Sequence, residues 1–468
     1  MDIDVDDADR GDASPATTSA AGASTATSSA ASRACPNPAW TRAPWDVERR
    51  GQLFQASTTT FTTRTRSTLG IVRECDDDEN DDARRGVGGD ASPAMLPPKR
   101  PTMQTRTMPL ADASTSTSAR SWDECYRTSQ DIRCERQRGT FRVYTTMSAS
   151  SSPASSSFAG EDVVYLVCLH GCPYTSMTWA PCAEVVRARR RMAHGDAGDS
   201  TRTTASGRME IVAIDLRGHG ATTCDDGDGA VTFDPDVMAR DAYETSLEVF
   251  ARLGHSRENP ANVVVVGHSM GGAIAARLAG LLETAPCDRD EDEARVMSLR
   301  GLALVDIVEG SATRALPLMR AFIEARPTSF DSLKHAMIWA MSKGGGTTNA
   351  HSAAISLPSQ LRVERDDDGR ERFVWRTNLR ATEPYWMSWY EGLSQRFLAV
   401  RAPKLLLLAG SDRLDTALTI AQMQGKFQMT LLPKAGHAIQ EDDPEAVTTA
   451  LENFCSRFVF SRSSSTPR

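Results

Sequence analysis

The stretch VVVVGHSMGG, residues 263–272, carries four valines directly into a serine flanked by glycines. A continuous apolar run predicts a strand covered on both faces, and the small-residue segment after it, 271–284, predicts a helix. Glycine lacks a Cβ, so Gly267 and Gly271 allow the backbone to turn sharply around Ser269. This context favours a nucleophilic serine over a tight turn that only happens to carry a hydroxyl.

Apolar runs elsewhere in the chain predict further strands. In the segments between these runs, apolar residues recur every three to four positions, which predicts helices. The predicted strands lie within 140–146, 163–171, 209–220, 299–310, 403–415 and 426–437, and the clearest helices within 234–254 and 444–460. Strands that alternate with helices indicate an α/β fold, with a mostly parallel central sheet and helices on both faces. Residues 311–400 interrupt this alternation. We predict a mostly helical lid there, over the carboxyl edge of the sheet where ligands bind in such folds.

Composition divides the chain into three regions. Residues 1–120 are rich in Ser, Thr, Ala and Asp and poor in aliphatic side chains, so they are predicted to be a disordered extension. Residues 463–468 are predicted to be a disordered tail, which leaves 121–462 as the folded domain. Within that domain the polar and basic insert 186–208 is predicted to be a surface loop.

Charge and cysteine usage argue against several classes of function. The net charge of −8 disfavours nucleic-acid binding, which needs a basic face. The ten cysteines form no CxxC pair and do not cluster with the eight histidines, so neither a zinc site nor a disulfide framework is expected. The acidic start MDIDVDDADRGD does not match a signal or transit peptide, and no apolar run is long enough to span a membrane. We therefore expect a cytoplasmic or nuclear protein without membrane contact.

A serine hydroxyl needs a base, and the segment KAGHAIQEDDPE offers one. His437 follows the last predicted strand and precedes the last helix, and the chain order serine, acid, histidine suits such a fold. Two backbone N–H groups are expected to form an oxyanion hole: that of Met270, at the start of a helix, and that of Cys172, since Pro173 has no N–H. Cys172 is also a rival nucleophile in principle, but we expect no separate base within its reach.

The acid partner of His437 is left open by the residue pattern alone. Asp412, in AGSDRLD, follows the strand after the lid, where folds of this kind usually place the acid. Asp306, in LVDIVEG, ends the strand before the lid. Both strands are expected to end near the strand of Ser269, so spacing does not separate them. A buried aspartate at a strand end can equally cap a helix or brace a loop.

Segments beyond these motifs resemble the protein phosphatase methylesterase family of α/β-hydrolases. The resemblance covers most of 120–460 and includes GHSMGGAIA, LVDIVEGSA, RPTSFDSLKHAMIWA, YWMSWYEGLSQRFL and PKLLLLAGSDRLDTALTIAQMQGKFQMTLLPKAGHAIQED. DRLD followed by LTIAQMQGKFQM is specific to this family and is not a feature of common lipases or epoxide hydrolases. The family's glycine-rich loop reads His170-Gly171-Cys172-Pro173 here, which retains an N–H at position 172.

The resemblance implies a serine carboxylesterase that hydrolyses the methyl ester on the C-terminal leucine of the protein phosphatase 2A catalytic subunit and releases methanol. It implies Ser269 as nucleophile, His437 as base and Asp306 as acid, which makes Asp412 a structural residue. It also implies no metal or organic cofactor, the methylated phosphatase subunit as partner, and a monomer. A small-molecule esterase and a phosphatase-binding protein with vestigial chemistry are the alternatives.

Overall fold

The computed structural model describes residues 119–147, 163–195, 207–225, 231–284, 296–343, 346–410 and 413–460. The predicted extension 1–120 lies outside the described residues except for its last two positions, and the predicted tail 463–468 lies outside them entirely. The described residues therefore lie almost entirely within the predicted folded domain, 121–462.

A central sheet of mostly parallel strands organises this domain. Its strands are β1 (Thr128–Cys134), β2 (Gly139–Thr145), β3 (Val163–Leu169), β4 (Arg208–Ile214), β5 (Thr223–Cys224), β6 (Ala261–His268), β7 (Met297–Val305), β11 (Lys404–Leu408) and β12 (Gln428–Leu431). Their order is β1-β2-β4-β3-β6-β7-β11-β12, with the short β5 beside β2. From β4 to β12 neighbouring strands run parallel, whereas β1 and β2 are antiparallel at one edge.

Helices cover both faces of this sheet and its carboxyl edge. They are α1 (Trp122–Cys125), α2 (Ala180–Gly195), α3 (Pro235–Arg252), α4 (Met270–Thr284), α5 (Glu309–Ala325), α6 (Leu333–Lys343), α7 (Ala350–Gln360), α8 (Trp386–Tyr390), α9 (Leu393–Ala399), α10 (Thr416–Met423), α11 (Ile439–Asp442) and α12 (Pro444–Cys455). The start of α3 is specified locally: Asp234 accepts hydrogen bonds from two backbone N–H groups, and Pro235 takes the first helical position. The predicted helices 234–254 and 444–460 thus correspond to α3 and α12.

The valine run explains why β6 lies in the middle of the sheet. Val263 and Val265 belong to one core cluster, which also contains buried residues of α3 and α4. Val264 and Val266 belong to a second cluster, formed with residues of α2 and α12. Successive side chains of a strand point to opposite faces, so a run that is apolar at every position supplies both cores. The predicted α/β fold, with helices on both faces of a mostly parallel sheet, is confirmed.

The predicted lid lies between β7 and β11, and it contains strands as well as helices. Three short strands, β8 (Ser329–Phe330), β9 (Leu361–Arg365) and β10 (Glu371–Trp375), form an antiparallel sheet in the order β8-β10-β9. The turn between β9 and β10 falls in 365–371, where Gly369 adopts a positive φ of 74°. All but the first residue of β9 are exposed, and its sequence LRVER is short and has three charged residues in five, so it does not stand out as a strand.

The polar insert 186–208 begins as a helix rather than as a surface loop. α2 continues to Gly195, so the loop prediction is wrong for 186–195, while 196–206 lies outside the described residues. Arg189 explains part of this difference, because it forms ion pairs with Glu445 and Glu452 of α12. None of the described helices is both long and apolar enough to cross a membrane.

Candidate active site

Two neighbouring strands of the sheet deliver Ser269 and Asp306 to the same edge. The backbone N–H of Ser269, just after β6, donates to the carbonyl of Val305 at the end of β7, with an N–O distance of 3.1 Å. The N–H of Asp306 donates in the same way to the carbonyl of Leu407 in β11, at 2.8 Å. Each residue therefore extends the parallel ladder one step past its strand, which fixes its backbone at the carboxyl edge.

The elbow around Ser269 is strained, and its glycines are required by close backbone contacts. Ser269 has a φ of +53°, in the left-handed region that non-glycine residues rarely adopt. A Cβ on Gly267 would collide with the carbonyl oxygen of Gly271, and a Cβ on Gly271 would collide with the carbonyl oxygens of Leu169 and His170. The spacing G-x-S-x-G is thus imposed by the turn itself, as the sequence analysis predicts.

The structure brings Ser269, His437 and Asp306 into one hydrogen-bonded chain. The Nδ1 of His437 lies 2.8 Å from Oδ2 of Asp306, and its Nε2 lies 3.0 Å from the hydroxyl of Ser269. A carboxylate only accepts hydrogen bonds, so Nδ1 carries the proton and Nε2 is free to accept the serine proton. This geometry allows proton transfer from Ser269 to His437, the step that generates a nucleophilic alkoxide.

Asp306 is held as a carboxylate by three donors although it is 3% exposed. Burial by itself would raise the pKa of Asp306, but the hydrogen bond and charge of His437, the N–H of Ala409 and the charge of Arg413 together hold it below its ordinary value. Arg413 forms an ion pair with Oδ2, the same oxygen that accepts the proton of His437. Asp306 also adopts a positive φ of 51°, so strain lies on both the serine and the carboxylate.

The structure thus places Asp306, and no other described carboxylate, beside the Nδ1 of His437. Asp412, the alternative acid, lies outside the described residues. Its neighbour Arg413 is described, and it binds Asp306. The role of Asp306 as the acid remains a prediction that this geometry supports.

His268 and Tyr390 lie next to these residues, and sequence reasoning assigned neither of them a role in the site. His268 donates from Nε2 to the backbone carbonyl of His437 at 2.9 Å, and their ring centroids are 4.7 Å apart. Burial, with a smaller effect of His437, lowers the pKa of His268 to about 3, so it stays neutral. In α8, burial raises the pKa of Tyr390, and an interaction with the Ser269 hydroxyl partly offsets the rise.

The loop after β3 lies against the serine elbow, where an oxyanion hole was predicted. A Cβ on Gly171 would lie 2.9 Å from the Cβ of Ser269. His170 holds this loop: its Nε2 accepts from the N–H of Leu216 and its Nδ1 donates to the carbonyl of Gly171, each at 2.9 Å. Burial lowers the pKa of His170 to about 4, consistent with this single neutral tautomer. The oxyanion roles of the Met270 and Cys172 N–H groups stay predictions.

Cys172 has a base within reach, contrary to expectation. Its Sγ lies 3.4 Å from Nε2 of His219, whose Nδ1 donates to the carbonyl of Arg217 at 2.8 Å. However, burial raises the pKa of the Cys172 thiol to about 12 and lowers that of His219 to about 3. The pair therefore remains a neutral thiol and a neutral imidazole, and it does not supply the thiolate that nucleophilic attack requires.

Comparison with known proteins places this site in a family. The alpha/beta hydrolase family profile matches residues 166–450. Protein phosphatase methylesterase 1 of Mus musculus is 33% identical over 379 residues, which span 72% of this chain and 85% of the mouse protein. The probable protein phosphatase methylesterase 1 of Caenorhabditis elegans is 38% identical over 291 residues, which span 62% of this chain and 68% of the Caenorhabditis elegans protein.

A third relative is also named as a protein phosphatase methylesterase 1. Protein phosphatase methylesterase 1 of Gibberella zeae is 40% identical over 249 residues, which span 53% of this chain and 58% of the fungal protein. The span matched by the family profile contains Ser269, Asp306 and His437. The predicted family and fold are confirmed by these matches: the chain belongs to the protein phosphatase methylesterase 1 family of alpha/beta hydrolases.

Proposed function

We propose that this chain is a serine carboxylesterase that hydrolyses the methyl ester on the C-terminal leucine of the protein phosphatase 2A catalytic subunit. The observation that carries the chemistry is the hydrogen-bonded chain Ser269–His437–Asp306 at the carboxyl edge of the sheet. The relatives named protein phosphatase methylesterase 1 support the type of ester and the kind of partner.

The first half of the proposed reaction forms an acyl-enzyme. Ser269 Oγ attacks the ester carbonyl carbon while its proton passes to Nε2 of His437. Asp306 keeps the imidazole in the required tautomer and offsets the imidazolium charge, and the N–H groups of Met270 and Cys172 donate to the oxyanion. When the intermediate collapses, the bond to the methoxy group breaks. The methoxy oxygen takes the proton from His437, and methanol leaves.

The second half restores the enzyme and gives a free carboxylate. Nε2 of His437 accepts a proton from water, whose oxygen attacks the acyl carbon. Collapse of the second intermediate breaks the bond to Ser269 Oγ, which recovers its proton from His437. The phosphatase subunit leaves with the carboxylate of its C-terminal leucine, so one ester and one water become one acid and one methanol.

Exposure at the site suits the end of a polypeptide. Ser269 is 7% exposed, whereas the side chain of His437 is 44% exposed. A free chain end is narrow enough to reach a recessed serine, and the lid residue Tyr390 beside the serine would form one wall of its path. The proposed reaction takes place in the cytoplasm or the nucleus, on the phosphatase as a folded partner, with the enzyme as a monomer.

Loss of the methyl group from methylated phosphatase 2A catalytic subunit tests the proposal. Intact-mass spectrometry follows the subunit during incubation with the wild-type chain or with Ser269→Ala. We expect full demethylation by the wild type and a rate at least about 10³-fold lower for the variant. Demethylation by Ser269→Ala at the wild-type rate would rule the proposal out.

A small-molecule esterase remains the second candidate, favoured by the general hydrolase fold. The two candidates differ in the ratio of kcat/KM on the methylated subunit to kcat/KM on p-nitrophenyl acetate. A ratio well above one supports the protein substrate. A high turnover of the small ester with no demethylation of the subunit supports the alternative.

A further inference from the structure

Arg326 is a cation without a counterion among the residues that the structure describes. It follows the last residue of α5 in the lid and is half-buried. Its Nε is buried and has no hydrogen-bond partner within the described part of the chain. The groups that influence its charge are Cys172 and Tyr174, and neither is a carboxylate.

A tryptophan fixes the position of this guanidinium. The guanidinium carbon of Arg326 lies 3.4 Å from the centroid of the Trp375 ring, a stacked cation–π contact. The indole of Trp375 is itself held, because its Nε1–H donates to the carbonyl of Pro327 at 2.7 Å. Stacking uses the flat face of a guanidinium and leaves its N–H groups at the edge available as donors. The guanidinium of Arg326 is therefore fixed in position, and its N–H groups remain available to donate hydrogen bonds to a ligand.

The segment that carries Trp375 contacts the loop after β4, which in turn contacts the loop after β3. Two positions after Trp375, the hydroxyl of Thr377 donates to the carbonyl of Gly218 at 3.1 Å. The next residue, His219, contacts the Sγ of Cys172, and the residue before Cys172 lies against Ser269. Arg326 interacts electrostatically with Cys172, so its guanidinium lies near the loop that packs against the serine elbow.

Burial does not remove the charge of Arg326. Burial lowers its pKa to about 10, so the group is still a cation at neutral pH. Burial raises the pKa of Cys172 to about 12 and that of Tyr174 well above its ordinary value, so both neighbours are neutral. A half-buried cation that faces neutral groups is unfavourable, and a carboxylate would offset that cost with charge-assisted hydrogen bonds.

We infer that Arg326 is a recognition residue whose guanidinium binds a carboxylate of the polypeptide end in the active site. That carboxylate comes either from an acidic side chain shortly before the ester-bearing leucine or from the terminal carboxylate of the product. The inference rests on the proposed function, because it concerns which groups near the ester the site binds. The first source predicts that substrates with an acidic chain end bind better, and the second predicts that the product inhibits the enzyme.

Peptides that end in leucine methyl ester test the first source. One peptide carries Glu at the positions before the leucine, and a second, otherwise identical peptide carries Gln there. The KM values of the two peptides are compared. Matched peptides ending in a free leucine carboxylate or in its amide test the second source, as inhibitors. We expect the wild type to prefer the charged member of at least one pair by roughly 10-fold to 100-fold. We expect Arg326→Gln to lose that preference.

Two controls separate this role from a structural one. Arg320→Gln removes an exposed arginine of α5, the helix that ends just before Arg326; Arg320 pairs with Glu383, and its variant should keep the wild-type preference. Far-UV circular dichroism and thermal denaturation of Arg326→Gln should match those of the wild type, which shows that the variant is folded. If Arg326→Gln misfolds, Arg326→Lys, which keeps the charge, replaces it and should keep the preference only in part; equal KM for charged and neutral peptides in the wild type overturns the role without any variant.

Direct binding keeps this test independent of turnover. Fluorescence anisotropy with labelled free-acid and amide peptides measures the same preference without hydrolysis, so a chain that fails to demethylate can still show it. Equal binding and equal KM for charged and neutral peptides in the wild type would overturn the role of Arg326. A preference that persists in Arg326→Gln would overturn it as well.

Discussion

At the residue scale, two of the three described non-glycine residues with a positive φ belong to the proposed chemistry, and the third, Arg138, lies in the turn between β1 and β2. Ser269 and Asp306 both have φ near +50°, a conformation that costs a non-glycine residue on the order of 1 kcal/mol or more. Backbone hydrogen bonds to the neighbouring strands hold both residues in place. The strain thus falls on the nucleophile and its acid, where side-chain direction matters most.

Substitution of the two candidate acids separates their roles. Asp306→Asn removes the charge that fixes the His437 tautomer, so kcat should fall by about 10⁴-fold. Asp412→Asn should leave kcat within about three-fold of wild type. Steady-state demethylation by both variants, with circular dichroism to check folding, measures the difference. The reverse order of effects would reassign the acid to Asp412.

Arg413 should set the acidic limb of the pH–rate profile. Its cation binds the same Asp306 oxygen as His437 and is one of the groups that hold the pKa of Asp306 below its ordinary value. In Arg413→Gln the Asp306–His437 pair should therefore take up a proton at higher pH, which inactivates the enzyme. We expect the acidic limb of kcat/KM to move up by on the order of half to one pH unit.

Matched variants distinguish this electrostatic role from a structural one. Arg413→Lys keeps the charge and should keep the wild-type limb. Arg133→Gln removes an exposed arginine paired with Glu135 on β1, at the far edge of the sheet, and should leave the profile unchanged. An acidic limb that stays in place in Arg413→Gln would show that the ion pair has no influence on the base.

The sequence is informative about individual residues only where a local pattern encodes their geometry. Ser269 is identified by its glycines, and His437 by its place after the last strand. The choice between Asp306 and Asp412 needed the resemblance, because both follow strands that end at the same edge. The contacts of His268 and Arg413 with this site depend on tertiary packing, and no local sequence signal indicates them.

At the element scale, the predictability of each strand follows its burial. β3, β6 and β11 are almost entirely buried and therefore appear as continuous apolar runs. The strands of the lid are short and partly exposed, and three of the five residues of β9 are charged. α8 buries both Trp386 and Trp389, as is usual for aromatic side chains of a helical insert.

The short helix α11 follows the His437 loop and contacts the lid through Glu441, which is buried. This buried carboxyl group predicts that stability depends on pH. Glu441 is fully buried, accepts a hydrogen bond from Thr178 at 2.6 Å, and its backbone carbonyl accepts one from Ser352 of α7. Burial raises the pKa of Glu441 to about 8. At neutral pH the folded protein therefore holds a proton that the unfolded chain, with a pKa near 4.3, has released.

The free energy of unfolding should consequently fall as pH rises from the unfolded pKa of Glu441 to its folded pKa. The contribution of Glu441 is fully present below about pH 4 and is lost as pH rises through about 8, at up to about 1.4 kcal/mol per pH unit. Urea denaturation at about pH 5 and about pH 8 measures it, and Glu441→Gln should show a smaller pH dependence than wild type. Equal slopes in the two proteins would contradict a raised pKa.

At the scale of the whole domain, the two core clusters and the site follow from one arrangement of the chain. Strands β6, β7 and β11 are adjacent, so the residues after β6 and β7 meet at one edge, and the His437 loop after β12 reaches the same place. The lid inserted between β7 and β11 adds Arg326 and Tyr390 near that edge. The alternation of strands and helices predicted this plan, whereas the contacts of the lid required the structure.

Trapping the acyl-enzyme tests the central claim most directly. The chain is mixed with a peptide ending in leucine methyl ester, quenched with acid at early times, digested and mapped by mass spectrometry. We predict the peptide acyl group on Ser269, formed together with methanol and lost as the free-acid peptide appears. Methanol release without an adduct on Ser269, or with the adduct on Cys172, would contradict a serine nucleophile.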